Sequence, residues 1–94
     1  MKVINKMKVR NITSSRGTKV ANQFIIEIGS FVYFQSYESM IAAKHRDSGE
    51  VVLDEKYWDY SKTTGKYRNQ FLGETKKETE AKIKSGEYKL SNLN

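Results

Sequence analysis

The sequence predicts an α+β domain: a small antiparallel β-sheet of three to five strands, followed by one or two short C-terminal helices. Two observations carry this. Between Ala21 and Ser36 apolar residues recur with period two on either side of Gly29-Ser30. After Asp54 the period moves towards 3.6, and Thr75-Lys-Lys-Glu78 supplies a capping box before a final polar stretch.

In chain order, KVINKMKVRNIT (residues 2–13) spaces Val3, Met7, Val9 and Ile12 among polar residues, which predicts a first strand; Ser14-Ser15-Arg16-Gly17 is a turn by composition. QFIIEI and FVYFQ then form a hairpin. Gly29 supplies positive φ at the first turn position, and counting back pairs Ile28 with Phe31, Ile26 with Tyr33, Phe24 with Gln35, and Ile25 with Phe34. Both faces of this hairpin are partly apolar, so it is expected to lie centrally with a cover on each side. SMIAAKH (residues 39–45) reads as a short strand or as a turn and a half of helix, because Ala42 and Ala43 weaken strand propensity. Asp47-Ser48-Gly49 is a turn, and 40–45 is expected to pair with 50–54. Ser61 is a candidate cap for a helix that places Tyr60, Thr64, Tyr67 and Phe71 on one side and stops at Gly73. A second helix over 76–85 stops at Gly86, Tyr88-Lys89-Leu90 is a candidate edge strand, and Ser91–Asn94 is left as a tail.

Ninety-four residues fit a single domain, 1–94, made of a basic N-terminal segment (1–19), a β-meander (20–54) and an aromatic and basic segment with the C-terminal helices (57–90). The formal charge is +6, and residues 1–26 account for all of it with six cations (Lys2, Lys6, Lys8, Arg10, Arg16, Lys19) and no acid. Such a block is attracted to phosphate backbones or acidic surfaces. Absence of cysteine removes disulfides and thiolate chemistry and fits a reducing cytoplasm; one histidine cannot assemble a usual zinc site. No apolar run reaches membrane-spanning length, so a cytoplasmic protein without membrane or cofactor is expected.

Few residues suggest chemistry. His45 lacks an obvious Ser, Cys or second His partner and reads as a surface or hairpin-end residue. Asp54 and Asp59 read as turn and cap residues, and their spacing with Glu50 and Glu55 matches no metal-binding loop. The informative stretch is YWDYSKTTGKYRNQFLG (57–73). It interleaves Tyr57, Trp58, Tyr60, Tyr67 and Phe71 with Lys62, Lys66 and Arg68, and Asp59 is its only acid. Rings that stack and cations that meet phosphate suit a polyanion. Trp58 is expected to point inward. Three readings remain open at this level. The first is a non-enzymatic binding module using Tyr60, Lys62, Lys66, Tyr67 and Arg68, with Arg10, Arg16 and Lys19 steering approach. The second is a single-stranded DNA or RNA binder with Phe31 and Tyr33 as further stacking platforms. The third is a metal-independent ribonuclease built on Tyr57, Tyr60, Lys66, Tyr67 and Arg68. The aromatic patch is also compatible with the subunit interface of a homodimer.

VANQFII (20–26), YFQSY (33–37), LDEKYWDYSKTTGKYRNQFLGET (53–75) and SGEYKLSNLN (85–94) resemble an uncharacterised family of small proteins carried by phages, prophages and plasmids of low-GC Gram-positive bacteria. The KYWDYS-TT-KYRN-FLG pattern is the specific part, and the likeness spans about residues 8–94. It transfers no functional residue. What it implies is setting: a mobile-element accessory protein acting in a host cell. Within the binding-module reading, that setting favours an anti-CRISPR-like inhibitor that occludes a host defence nuclease or nucleoprotein complex.

Overall fold

The computed structural model describes residues 7–94, so the part of the first expected strand before Met7 lies outside the described residues. Six strands form one sheet in sequential order: β1 (Met7–Thr13), β2 (Lys19–Ile28), β3 (Phe31–Ser36), β4 (Ser39–His45), β5 (Val51–Asp54) and β6 (Lys89–Ser91). Helices α1 (Lys62–Leu72) and α2 (Lys76–Ser85) lie between β5 and β6 in the chain. β1 to β5 are an antiparallel meander. β6 returns after both helices and therefore pairs parallel to β5. The α+β reading holds, with one strand beyond the expected range.

The β2–β3 register is the one counted from the turn, Ile28↔Phe31 through Phe24↔Gln35. Gly29 adopts φ 57°, the conformation that lets two residues reverse the chain. SMIAAKH is a strand, pairing Ala42↔Leu53 through Lys44↔Val51, because a bulge between Phe34 and Gln35 lets Ile41 and Ala42 both enter the core.

Each strand alternates between two unlike faces. Ile12, Ile25, Phe34, Ala42 and Leu53 face the helices and form the core with Tyr67 and Tyr88. Phe71 stacks on Phe34 at a centroid distance of 5.8 Å. The Thr64 hydroxyl joins helix to sheet, 2.8 Å from the Ser36 hydroxyl and accepting from the Ser61 cap at 3.0 Å. The opposite face is different. Its central cross-strand row is Val9, Ile26, Tyr33, Ala43 and Val52, and its outer row is Met7, Ile28, Phe31 and His45. None of these residues belongs to the helix-side core; Ile26 and Ala43 are buried, and Met7, Val9 and Phe31 are exposed. The helices therefore supply the expected cover on one side only.

Caps fall where the sequence puts them. The Ser61 side chain accepts from the Thr64 N–H, Gly73 closes α1 at φ 69°, and Thr75 with Glu78 forms a complete capping box for α2. Ser91–Asn94 is not a loose tail. The Asn94 amide donates to the Met40 carbonyl at 2.9 Å and accepts from the Met40 N–H at 2.7 Å, while the Leu93 N–H donates to Asp54 at 2.8 Å. An amide side chain thus completes the edge of β4 beyond the reach of β5.

Candidate functional site

The aromatic and basic stretch divides into an inward and an outward part. Arg68 is turned inward and is 1% exposed. Its guanidinium donates to the Trp58 carbonyl at 2.9 Å, to Asp59 at 2.8 Å and to Asn69 at 2.9 Å, and lies 5.1 Å from the Trp58 ring centroid. Tyr67 is buried in the core, and Trp58 is half-buried against it. The expectation that Arg68 and Tyr67 face a partner is corrected by position. Thr64, Tyr67, Arg68 and Phe71 share the side of α1 that meets the sheet and the 57–61 loop, so both are interior residues. The five residues of the ribonuclease reading are divided too: Tyr67 and Arg68 are inside, Tyr57 is half-buried against the core, and Tyr60 and Lys66 are outside.

The outward part is cationic. Lys62, Lys66 and Gln70 follow one another at a spacing of four along the solvent side of α1, and all three are exposed. The Lys66 ammonium stands 5.3 Å from the Tyr67 ring centroid. Tyr60, 45% exposed, packs edge-on to Tyr57 at 5.6 Å beside the start of the helix. An open groove of about 440 Å³ lies here, lined by Lys62, Lys66, Arg68 and Lys76 with Asp59 as its one acid. Asp59 is fully committed, held by Arg68 at 2.8 Å and Lys76 at 2.7 Å. Partial burial would raise its carboxyl, but the hydrogen bonds from Lys76 and Arg68 outweigh this and hold it below the usual carboxylate range. The first turn of α1 carries no acid of its own; Asp59, already paired, is the one carboxylate near it.

At the other end of α1, Gln70 donates to the Thr13 carbonyl at 2.8 Å. This brings the lysine row to the foot of the β1–β2 hairpin, whose turn bears exposed Arg16 and Lys19. Arg10 is less free than the sequence suggests, because it shares Glu27 with Arg46. The hydrogen bond from Arg10 is the main reason the Glu27 carboxyl sits below its ordinary value. Among the described residues, Lys62, Lys66, Arg16 and Lys19 form no ion pair, and no cluster of three metal-ligating side chains occurs. His45 ends β4, where its ring meets Phe31 edge-on at 4.9 Å and its Nδ1 accepts from the Ser48 N–H at 3.2 Å.

A second polar knot has no counterpart in the sequence reading. The Glu74 carboxylate, between the helices, accepts from Thr79 at 2.6 Å, Lys82 at 2.8 Å and the Tyr88 hydroxyl at 2.9 Å. Burial raises its carboxyl, yet the three donors together carry it below the usual range. Every contact in this knot is internal, which gives it a structural role. The Thr-x-x-Glu box one residue later was the available signal that this turn is tightly built.

A family model matches residues 7–87. The chain belongs to a family of unknown function (DUF8033). Neither a curated protein nor a solved structure matches it. The family match covers β1 to β5, both helices and the whole α1 groove. Among the described residues no helix is long and apolar enough to cross a membrane.

Proposed function

We propose that this DUF8033 domain is a non-enzymatic binding module that docks onto a phosphate-bearing surface, a nucleic acid or a nucleoprotein, through the α1 groove. One observation carries the reading. Four exposed cations, Lys62, Lys66, Arg16 and Lys19, form no ion pair among the described residues, whereas the groove's one acid, Asp59, is already engaged by Arg68 and Lys76. Free cations beside spent carboxylates attract anions and do not self-neutralise. Arg68 and Asp59 form the rigid floor of the groove, and Tyr60 offers an exposed ring at its rim. Approach is steered by the basic N-terminal segment. In the narrower form of this proposal, the module occludes the nucleic-acid channel of a host defence nuclease. That form is supported by the mobile-element setting the sequence resembles.

The alternative of base stacking on Phe31 and Tyr33 is less favoured. Their rows contain no Lys or Arg in β1 to β5, and Lys89 of the edge strand β6 is the one cation the Tyr33 row reaches.

The test is fluorescence anisotropy with mixed-sequence DNA and RNA oligomers over a salt series. Four phosphate contacts give a log–log salt slope of about −3 for single strands. Lys62→Ala/Lys66→Ala should remove two contacts and flatten the slope by about 1.4. Absence of low-salt binding, or an unchanged slope in the double variant, refutes docking through α1. Retention of a host nuclease on the immobilised protein after nucleic acid is digested away would favour the narrower form.

A further inference from the structure

The sheet face opposite the helices is apolar; Ile26 and Ala43 at its centre are buried by their neighbours, and its β1 side and Phe31 are open. Met7 is 63% exposed, Val9 56% and Phe31 42%. In the three cross-strand rows from Met7 to Asn11, that face contains no Asp, Glu, Lys or Arg from β1 to β5, and Lys89 of β6 stands at its far edge, in a chain of which 30% is charged. Its polar members are largely occupied: Asn11 donates to the Val20 carbonyl at 2.9 Å and Gln35 to the Tyr37 carbonyl at 2.7 Å. Antiparallel sheets that leave one face to water place polar residues on it. This sheet does the reverse.

We infer that this face is covered by a second copy of the chain, giving a two-fold dimer of sheets packed face to face. Three arguments favour a copy over another occupant. First, a two-fold contact places the face against itself, and the uncharged β1–β5 part meets its copy without like-charge repulsion, with Lys89 at the rim. A nucleic acid would find a single cation there, Lys89 at the β6 edge. Second, the area suffices. Five strands at about 4.8 Å and six residues at about 3.4 Å cover roughly 24 by 20 Å, or about 1,000 Å² for two copies before side-chain relief is counted. That reaches the lower bound of a specific interface, and about 480 Å² per copy matches the largest patches that monomers expose, which are often functional. Third, residue types and shape fit: β-branched, aromatic and methionine side chains on a regular sheet interdigitate in aligned sheet packing. The dimer is independent of polyanion docking, since the α1 groove lies on the other side of the sheet.

Sedimentation equilibrium from micromolar to submillimolar concentration tests it. The expected mass is twice the 10.9 kDa of the chain. Val9→Glu and Phe31→Glu, both at exposed positions, should each shift the dissociation constant at least about tenfold, with unchanged far-ultraviolet circular dichroism. Leu90→Glu, an exposed apolar position outside the rows, should leave the mass unaltered. If the glutamate variants unfold, Phe31→Ser is the milder substitute and should weaken association in the same direction. A wild-type mass of one chain throughout overturns the inference, whatever else the face binds. So does open-ended association, or a dimer indifferent to folded Val9 and Phe31 variants.

Discussion

Arg68 is the residue on which the inward and outward readings of the α1 segment part, and its truncation separates them. Arg68→Ala removes three charge-assisted or polar hydrogen bonds, a cation over Trp58 and the packing of a long side chain that is 1% exposed. Breaking a buried ion pair by deleting one partner costs about 3–5 kcal/mol. The lower end applies, because Asp59 is 27% exposed and keeps Lys76. A loss of about 3 kcal/mol is a large share of the roughly 5–14 kcal/mol expected for a domain of this length. At about 4–8 °C per kcal/mol it lowers the melting temperature by about 12–24 °C. Arg68→Lys should recover little, since an ammonium cannot reach Trp58, Asp59 and Asn69 in one plane. Arg68→Met with Asp59→Asn should recover more, because it removes both charges while keeping volume. The assay is urea unfolding followed by tryptophan fluorescence, run beside oligonucleotide anisotropy. A variant that melts within a few degrees of wild type but loses tenfold in oligonucleotide affinity would refute the structural assignment.

Two further substitution and pH experiments follow from the interior. Gln23 is fully buried, and neither end of its amide has a partner, so Gln23→Met should raise stability by about 1–2 kcal/mol in urea titration; a loss instead would mean the amide is satisfied in solution. Asp59 and Glu74 have folded pKa values below their ordinary 3.8 and 4.5, so the unfolded chain binds more protons in that range. Their stabilisation is complete above the ordinary values and is lost as pH falls through the folded ones. Melting temperature should therefore drop below about pH 4, and Asp59→Asn should flatten that drop.

Sequence reading succeeded where the determinant is local. The β2–β3 register needs only period-two alternation and a Gly-Ser turn, and the ends of both helices need only Ser61, Gly73, Thr75, Glu78 and Gly86, each within a few residues of the group it satisfies. It failed where residue type and position conflict. Arg68 has a surface composition at an interior position, four residues after Thr64, and the carboxylate that makes this tolerable arrives from a loop nine residues earlier. Pairing of β6 depends on two helices bringing three residues back in parallel, for which no local pattern exists. Lys62 and Lys66 were legible as exposed cations. Their isolation from acids was not, because it depends on Lys76 occupying Asp59 across the groove.

Charge and apolarity are sorted to opposite sides of one sheet, and this makes the two proposals compatible. A chain of +6 should resist self-association if its cations met across the contact. They do not. Packed sheets lie about 10 Å apart, and a helix layer adds about 10 Å on each outer side, so two α1 grooves stand roughly 30 Å apart. At physiological ionic strength the screening length is about 8 Å, and repulsion over that distance is small beside burial of about 1,000 Å² at roughly 25 cal/mol per Å² of apolar surface. The same geometry leaves both grooves facing outward, free for a polyanion. An apolar face uncharged from β1 to β5 and a helix with uncancelled lysines are therefore two consequences of one alternation, in which β1–β4 direct Lys8, Arg10, Glu27 and Lys44 to the helix side and keep the other side neutral.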